Sequence, residues 1–261
     1  MLQVEPTTIS LLTPVLPALS MYLREAAASV LAVKEAARAE GWAVEWIVVA
    51  DGPGEIPPTP EADKVLRFPK RRGVSAARNL ALAAARGDWV APLDADDLLD
   101  VDGIIPLLNI LKSAKGVKWV GANRLLLDGH KTPHWKECEG HWATGTLAET
   151  WSVPFCFHPN SVIALRSAAL QSMGWPAVPS NEDLAFVLML SEMGPGCFHP
   201  SVLTRYRVWE SQTIADPVYA DLKKSAFSVI AEMLNAQRRE KGRAAIFPPD
   251  SGASFGHLHK M

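Results

Sequence analysis

The residues best suited to chemistry stand at the end of an apolar stretch, in Leu93-Asp94-Ala95-Asp96-Asp97. Alternate residues of an extended segment point the same way, so Asp94 and Asp96 can present two carboxylates to one point. Hard carboxylate oxygens suit Mg2+ or Mn2+, and a cation held by few protein ligands completes its shell with water and substrate phosphates. An acidic strand end running into a helix-capping turn is the other reading of the same residues. A calcium loop fails on register: with Gly103 in the sixth position, Leu98 and Asn109 fall where the loop needs Asp and Glu. Upstream, Arg71-Arg72-Gly73-Val-Ser75-Ala-Ala-Arg78-Asn79 leads into a helix. A glycine turn, helix N-terminal amides and arginines together can hold an anionic ligand, and Arg78 can pair with a phosphate or with the Asp94 loop. Arg71 and Arg72 read equally well as a solvated pair.

Further along, Glu182-Asp183 lies in the first turn of a predicted helix, where the dipole favours the ionised carboxylate and so lowers its basicity. His134-Trp-Lys-Glu137-Cys138-Glu-Gly-His141 lacks the paired spacing of a structural zinc site and reads as polar loop.

These groups need elements to position them. Thr8–Thr13, Glu45–Ala50, Val65–Phe68 and Asp88–Leu93 read as strands. Ser20–Glu40, with Leu23, Ala27, Val30 and Leu31 on one face and Gly41 as its stop, reads as a helix. Ser75–Arg86 is a second helix, capped by Ser75 and ended by Gly87, and Asp102 caps a third through Leu111. The order of strands and helices predicts an α/β sheet, mostly parallel, with ligands gathered at the carboxyl ends of strands. The acidic loops at Asp51 and Asp94 both lie at such ends and are expected to face one cleft. Beyond about residue 120 the sequence is rich in turns, and less regular structure is expected. Within it Ser161–Arg166 reads as a strand, Ser167–Met173 and the segment from Ser180 to Met193 as helices, Phe198–Val208 as strand and loop, and Asp216–Lys241 as a terminal helix.

Composition narrows the function classes. The 261 residues carry 26 Lys+Arg against 28 Asp+Glu, a net charge of −2, which excludes a broad electrostatic attraction for nucleic acid or anionic membrane. With 48% hydrophobic and 21% charged residues the chain has apolar material for a sizeable core. Cys138, Cys156 and Cys197 fit no disulfide framework, so a reducing cytoplasm is the expected location. The apolar run Ile9–Leu23 contains Pro14 and Pro17 and reads neither as a transmembrane segment nor as a signal peptide; membrane association would come through a partner or a surface contact.

Taken jointly, Asp51-Gly52 after a hydrophobic strand, Gly73-Val-Ser-Ala-Ala-Arg-Asn79, Gly87-Asp-Trp-Val-Ala-Pro-Leu-Asp-Ala-Asp-Asp97 and Glu182-Asp183 resemble family 2 glycosyltransferases of the GT-A fold, over roughly residues 7 to 213. The resemblance implies a single Rossmann-like domain over 1–215, with a nucleotide-binding half to about 120 and an acceptor half over 121–215, followed by a C-terminal helix and tail over 216–261. It implies an inverting transfer from a nucleoside-diphosphate sugar, UDP being the family's commonest nucleotide, to a saccharide, lipid-linked or other hydroxyl acceptor, with Mn2+ or Mg2+ as cofactor. Thr13, Pro14, Asp51 and Arg78 match the nucleotide pocket. Asp94 and Ala95 match the donor side of the DxD motif, Asp96 its metal-coordinating acid with Asp94 assisting, and Asp183 the base that activates the acceptor, with Glu182 beside it. From the residues themselves, His158-Pro159-Asn160-Ser161 reads either as lining of the acceptor side or, at His158, as an ordinary hydrogen-bonded turn; Trp151 and Trp175 read either as acceptor contacts that stack on a sugar ring or as packed aromatics, and Arg207 as a phosphate contact. Two departures stand out: Trp209 replaces a frequent histidine, and Arg71 a frequent asparagine. A metal-dependent sugar nucleotidyltransferase and a non-catalytic sugar-nucleotide or glycan-binding module are the competing readings. The first gives Asp183 no obvious task; the intact acids count against the second.

Overall fold

The computed structural model describes residues 7–113, 115–127, 138–151, 158–208 and 219–248. Strands β1 (Thr7–Val15), β2 (Trp42–Asp51), β3 (Lys64–Phe68) and β4 (Trp89–Pro92) run parallel. Further strands are β5 (Leu98–Leu99), β6 (Trp119–Leu126), β7 (Gly140–Trp142), β8 (Val162–Leu165) and β9 (Gly196–Tyr206). The sheet order is β3-β2-β1-β4-β8-β6-β9-β5, with β7 on β9; β8 is antiparallel to both of its neighbours. The mostly parallel α/β sheet expected from the sequence is thus present.

Helices cover both faces, which is why the inner strands are almost continuously apolar. On β2, Trp46, Val48 and Ala50 pack with α1 (Leu23–Ala39) and α3 (Val101–Ser113), while Ile47 and Val49 join the core formed with α2 (Val74–Ala84), α6 (Glu182–Ser191) and α7 (Tyr219–Glu240). Every residue of α6 from Leu184 to Ser191 is buried, so this helix is enclosed all round and cannot shift without opening the core. Between them lie the short α4 (Thr146–Glu149) and α5 (Arg166–Gln171). No helix among the described residues is long and apolar enough to cross a membrane.

Several local expectations are corrected. Leu31 is exposed and Val33 is buried instead, because the buried stripe of α1 follows Ala26, Val30, Val33 and Ala37. Asp100, not Asp102, caps α3: its Oδ1 accepts the Gly103 N–H at 2.8 Å. Gly87 does not end α2, which stops at Ala84. It sits where a Cβ would meet Ser10 Oγ at 2.7 Å, and its N–H donates to that oxygen. The turn-rich second half contains β6, a strand whose apolar run is disguised by Gly121 and Asn123. Trp135, His130, His134, Cys156 and Trp209 lie outside the described residues.

The end of α7 is fastened by charge. Glu192, with a fully buried side chain, pairs with Arg238 and Arg243, and Arg238 reaches Glu149 at 2.7 Å. Removing one member of such a buried set leaves the others uncompensated. Glu192→Leu is therefore expected to destabilise the fold by about 3 kcal/mol, read as a lower urea midpoint at unchanged slope.

Candidate active site

The carboxyl ends of β1, β2 and β4, the start of α2, the loop before β8 and the start of α6 surround an open cleft of about 1070 Å3. Its walls include Pro14, Asp51, Arg78, Asp94, Ala95 and Asp96 from the first half of the chain and His158, Trp175, Glu182 and Asp183 from the second. The two acidic loops therefore do meet in one cleft.

Gly73 shapes the first wall. It precedes α2 with φ of 92°, a region that side chains disfavour, and this turns its N–H and that of Arg72 onto Asp51. Asp51 Oδ1 accepts from Arg72 at 2.6 Å and Oδ2 from Gly73 at 2.9 Å, so the buried carboxylate first of all fixes the basic turn. Ser75 does not cap α2, since its Oγ donates to Pro176 O at 3.0 Å. One helical turn on, Asn79 pairs with both backbone groups of Trp175 at 2.8 and 2.9 Å. Ser75 and Asn79 thus clamp the 175–176 loop to α2.

Arg78 is the centre of the site. Its side chain is 2% exposed, yet it contacts three carboxylates: Asp94 Oδ1 at 2.7 Å through Nη2, and Glu182 Oε1 at 3.0 Å and Asp183 Oδ1 at 2.8 Å through Nη1. Burial would depress the guanidinium, but the charges of Asp183, Asp94 and Glu182 overcome it and raise its pKa. Asp183 also accepts the Trp175 Nε1–H at 2.9 Å, again on Oδ1. The helix-dipole expectation for Asp183 is reversed here: burial is the largest influence and, with the charges of Glu182 and Asp94, outweighs Arg78 and Trp175 to push the carboxyl up to about 7. Asn181, at φ of 59°, makes the left-handed step that starts α6 and delivers both acids to the cleft; asparagine tolerates it better than most residues.

Across the acidic loop, Asp94 Oδ2 accepts the Asn160 Nδ2–H at 2.8 Å, so both Asp94 oxygens are engaged. Asp97 is buried and accepts the Arg207 N–H at 3.0 Å; burial and the charges of Asp94 and Asp96 push its carboxyl well above the ordinary range. Burial, aided by the charges of Arg124 and Arg78, holds His158 well below the ordinary histidine range and hence neutral. Its ring lies 5.8 Å from that of Tyr206, whose phenol burial pushes up to about 12.

Three residues named from the sequence do not line the cleft. Thr13 is buried, and its Oγ1 accepts the Trp46 Nε1–H at 2.9 Å. Trp151 packs edge-on against Phe227 in the core, with ring centroids 5.3 Å apart. Arg207 is spent on Asp96 O at 2.9 Å and Glu25 at 2.7 Å and lies over the Tyr22 ring, so it braces the acidic loop. Trp175 does line the cleft but stacks on Phe186 at 3.9 Å and is 1% exposed, leaving it to orient Asp183 and not to receive a ring. Asn79 and Asn160 act as supports, a role that the sequence reading did not give them, although it placed Asn160 in a segment that could line the acceptor side. Asn79 was visible only as the last residue of its motif, and the sequence carries no mark of Asn160's pairing with Asp94.

Among the described residues no group of three or more His, Cys, Asp and Glu side chains forms a ready metal cage. Asp94 and Asp96, which both line the cleft, nonetheless offer the oxygen donors that a hard divalent cation prefers. This suits an ion that takes its remaining ligands from water and phosphate.

Comparison with known proteins converges on one family. The family model described as "Glycosyl transferase family 2" matches residues 20–169. Succinoglycan biosynthesis protein ExoO of Rhizobium meliloti (strain 1021) is 35% identical over 79 residues, covering 28% of this chain and 23% of ExoO. The match thus spans under a quarter of that relative's length. Among solved structures, S. aureus TarS 1-349 in complex with UDP-GlcNAc superimposes with a TM-score of 0.62 at 15% identity, covering 89% of this chain and 73% of that one. The mannosyltransferase PcManGT from Pyrobaculum calidifontis in complex with GDP-Man and Mn2+ gives 0.60 at 17% identity, covering 98% and 70%. At such identities the structural likeness speaks for the fold.

Proposed function

The chain belongs to glycosyl transferase family 2, and from that premise we propose that it moves a sugar from a nucleoside-diphosphate sugar, with UDP the first nucleotide to test, to an acceptor hydroxyl with inversion. The observation that carries this reading is Arg78, which joins Asp94 of the nucleotide side to Asp183 of the acceptor side within one guanidinium. A single displacement needs a base on one side of the anomeric carbon and a stabilised leaving group on the other. Asp183 meets the first need. A carboxyl held near 7 is a stronger base than an ordinary aspartate, and about half of it is ionised at neutral pH. Among the described residues its contacts with Arg78 and Trp175 both fall on Oδ1, and Oδ2 is the oxygen proposed to take the acceptor proton.

Asp96, with Asp94 beside it, would hold Mn2+ or Mg2+. When bound, such an ion neutralises charge developing on the departing diphosphate. Asp51 and the Arg72–Gly73 turn form the nucleotide end, while Glu182 adds the charge that keeps Arg78 seated. The TarS structure with UDP-GlcNAc and the PcManGT structure with GDP-Man and Mn2+ support both the donor class and the cation. The acceptor is a hydroxyl compound of open identity.

The test is release of nucleoside diphosphate from UDP-glucose, UDP-GlcNAc or GDP-mannose with Mn2+, with the product's anomeric configuration read by NMR. Pyrophosphate release from a nucleoside triphosphate, with no diphosphate formed from any sugar nucleotide, overturns the reading. Asp96→Ala is expected to weaken donor binding about 100-fold in Mn2+ while changing metal-free binding by less than about threefold, measured by calorimetry.

A further inference from the structure

Asn160 is 3% exposed, lines the cleft, and is half satisfied. Its Nδ2 donates to Asp94 Oδ2 at 2.8 Å, whereas its Oδ1 has no hydrogen-bond partner among the described residues. Rotating the amide by half a turn does not help, because a carboxylate facing Asn160 accepts only from the nitrogen. The oxygen is thus held in place as an acceptor, and an unmet buried acceptor is costly. It calls for a ligand that brings a proton.

The sheet says which part of a donor reaches it. Asp51 ends β2 and Asn160 lies two residues before the start of β8, and the order β2-β1-β4-β8 separates those strands by three spacings, about 14 Å. Asp94, after β4, lies between them and is tied to Asp183 through Arg78. A nucleotide whose base end sits near Asp51 therefore directs its sugar end toward Asp94 and Asn160. We propose that Asn160 is a donor-selecting residue: its Oδ1 accepts the proton of one hydroxyl of the transferred sugar while its Nδ2 holds Asp94 in register. The inference rests on the glycosyltransferase reading above and names which residue reads the sugar.

Calorimetry in Mn2+ compares UDP with UDP-GlcNAc and UDP-glucose, and GDP with GDP-mannose, on wild type and on Asn160→Ala. For the pair that binds, the sugar nucleotide is expected to weaken about tenfold and the plain diphosphate less than about twofold. Equal weakening of both overturns the proposal, because the residue then serves only Asp94 or a cation common to the two ligands. No weakening of either overturns it as well. A loss already present with plain UDP but absent with its 2′- or 3′-deoxyribose analogue assigns the hydroxyl to the ribose and overturns the sugar assignment. Should the variant not fold, wild type alone decides: deoxygenating one ring position of the bound sugar, or replacing that hydroxyl by fluorine, which cannot donate, is expected to cost about tenfold. If no position costs more than about threefold, the proposal falls. Folded wild type that binds no sugar nucleotide at all removes the glycosyltransferase reading and this inference with it, an outcome distinct from sugar nucleotides binding without a contribution from Asn160.

Discussion

Asp183→Asn is expected to retain nucleotide binding within about twofold and to lose about a thousandfold in kcat, the scale of a positioned general base. The amide keeps an oxygen for Arg78 and for the Trp175 N–H, so the wall of the cleft stands while the proton acceptor is gone. The wild-type pH profile should carry the same signature. Activity requires ionised Asp183, whose carboxyl sits near 7, so kcat/KM should rise with pH through about 7 and level off above it. That rising limb should vanish in Asp183→Asn. An unchanged limb, or transfer at the wild-type rate, would assign the proton to another group.

Arg78→Gln has the other large expected effect, on stability and chemistry together. The buried guanidinium faces three carboxylates, and its loss leaves them repelling one another in a half-buried cleft. We expect about 3 kcal/mol of destabilisation, the cost of breaking a buried ion set by deleting one partner. Arg78 favours the ionised form of Asp183, so without it that carboxyl titrates above 7 and any residual activity shifts its rising limb to higher pH. The stability effect has a definite sign. Asp183 already has a folded pKa above its unfolded value, so its ionisation disfavours the folded state as pH rises through 7, and losing Arg78 deepens that penalty. The deficit in unfolding free energy should therefore be larger at pH 8 than at pH 6. Arg78→Lys keeps the charge but not the planar fork that reaches Asp94 and the α6 acids at once, and should fall between the two.

The elements around these residues were legible because local signals agreed with tertiary demands. The strand before Asp94 is apolar without interruption because both of its faces are covered, and Gly41, with φ of 71°, stands just past the end of α1 as its stop signal foretells. Legibility failed where a residue had two plausible local partners. Ser75 and Asp102 look like caps, but Ser75 bonds across the molecule to Pro176, and Asp100 reaches the α3 amides first. The tryptophans failed for a related reason. Trp151 and Trp175 could each have covered a ring or filled a core, and neighbouring helices claimed both, Phe227 from α7 and Phe186 from α6.

Residue types and spacing by themselves determined the α/β sheet, the two acidic strand ends, the family and the acids on which chemistry is proposed to depend. These follow from hydrophobic period, turn residues and short motifs, all properties of neighbours in sequence. The fold alone decided that Arg78, Asp94, Glu182 and Asp183 form one cluster, that Asp183 is lifted toward neutrality when its helix position argued for the reverse, and that Asn160 holds one oxygen of the acidic loop. Those outcomes depend on burial and on charges up to 105 positions apart in the chain, as Arg78 and Asp183 are. The free energy of an ionised group is set by what surrounds it in space, and that becomes defined only when the sheet brings its strand ends together.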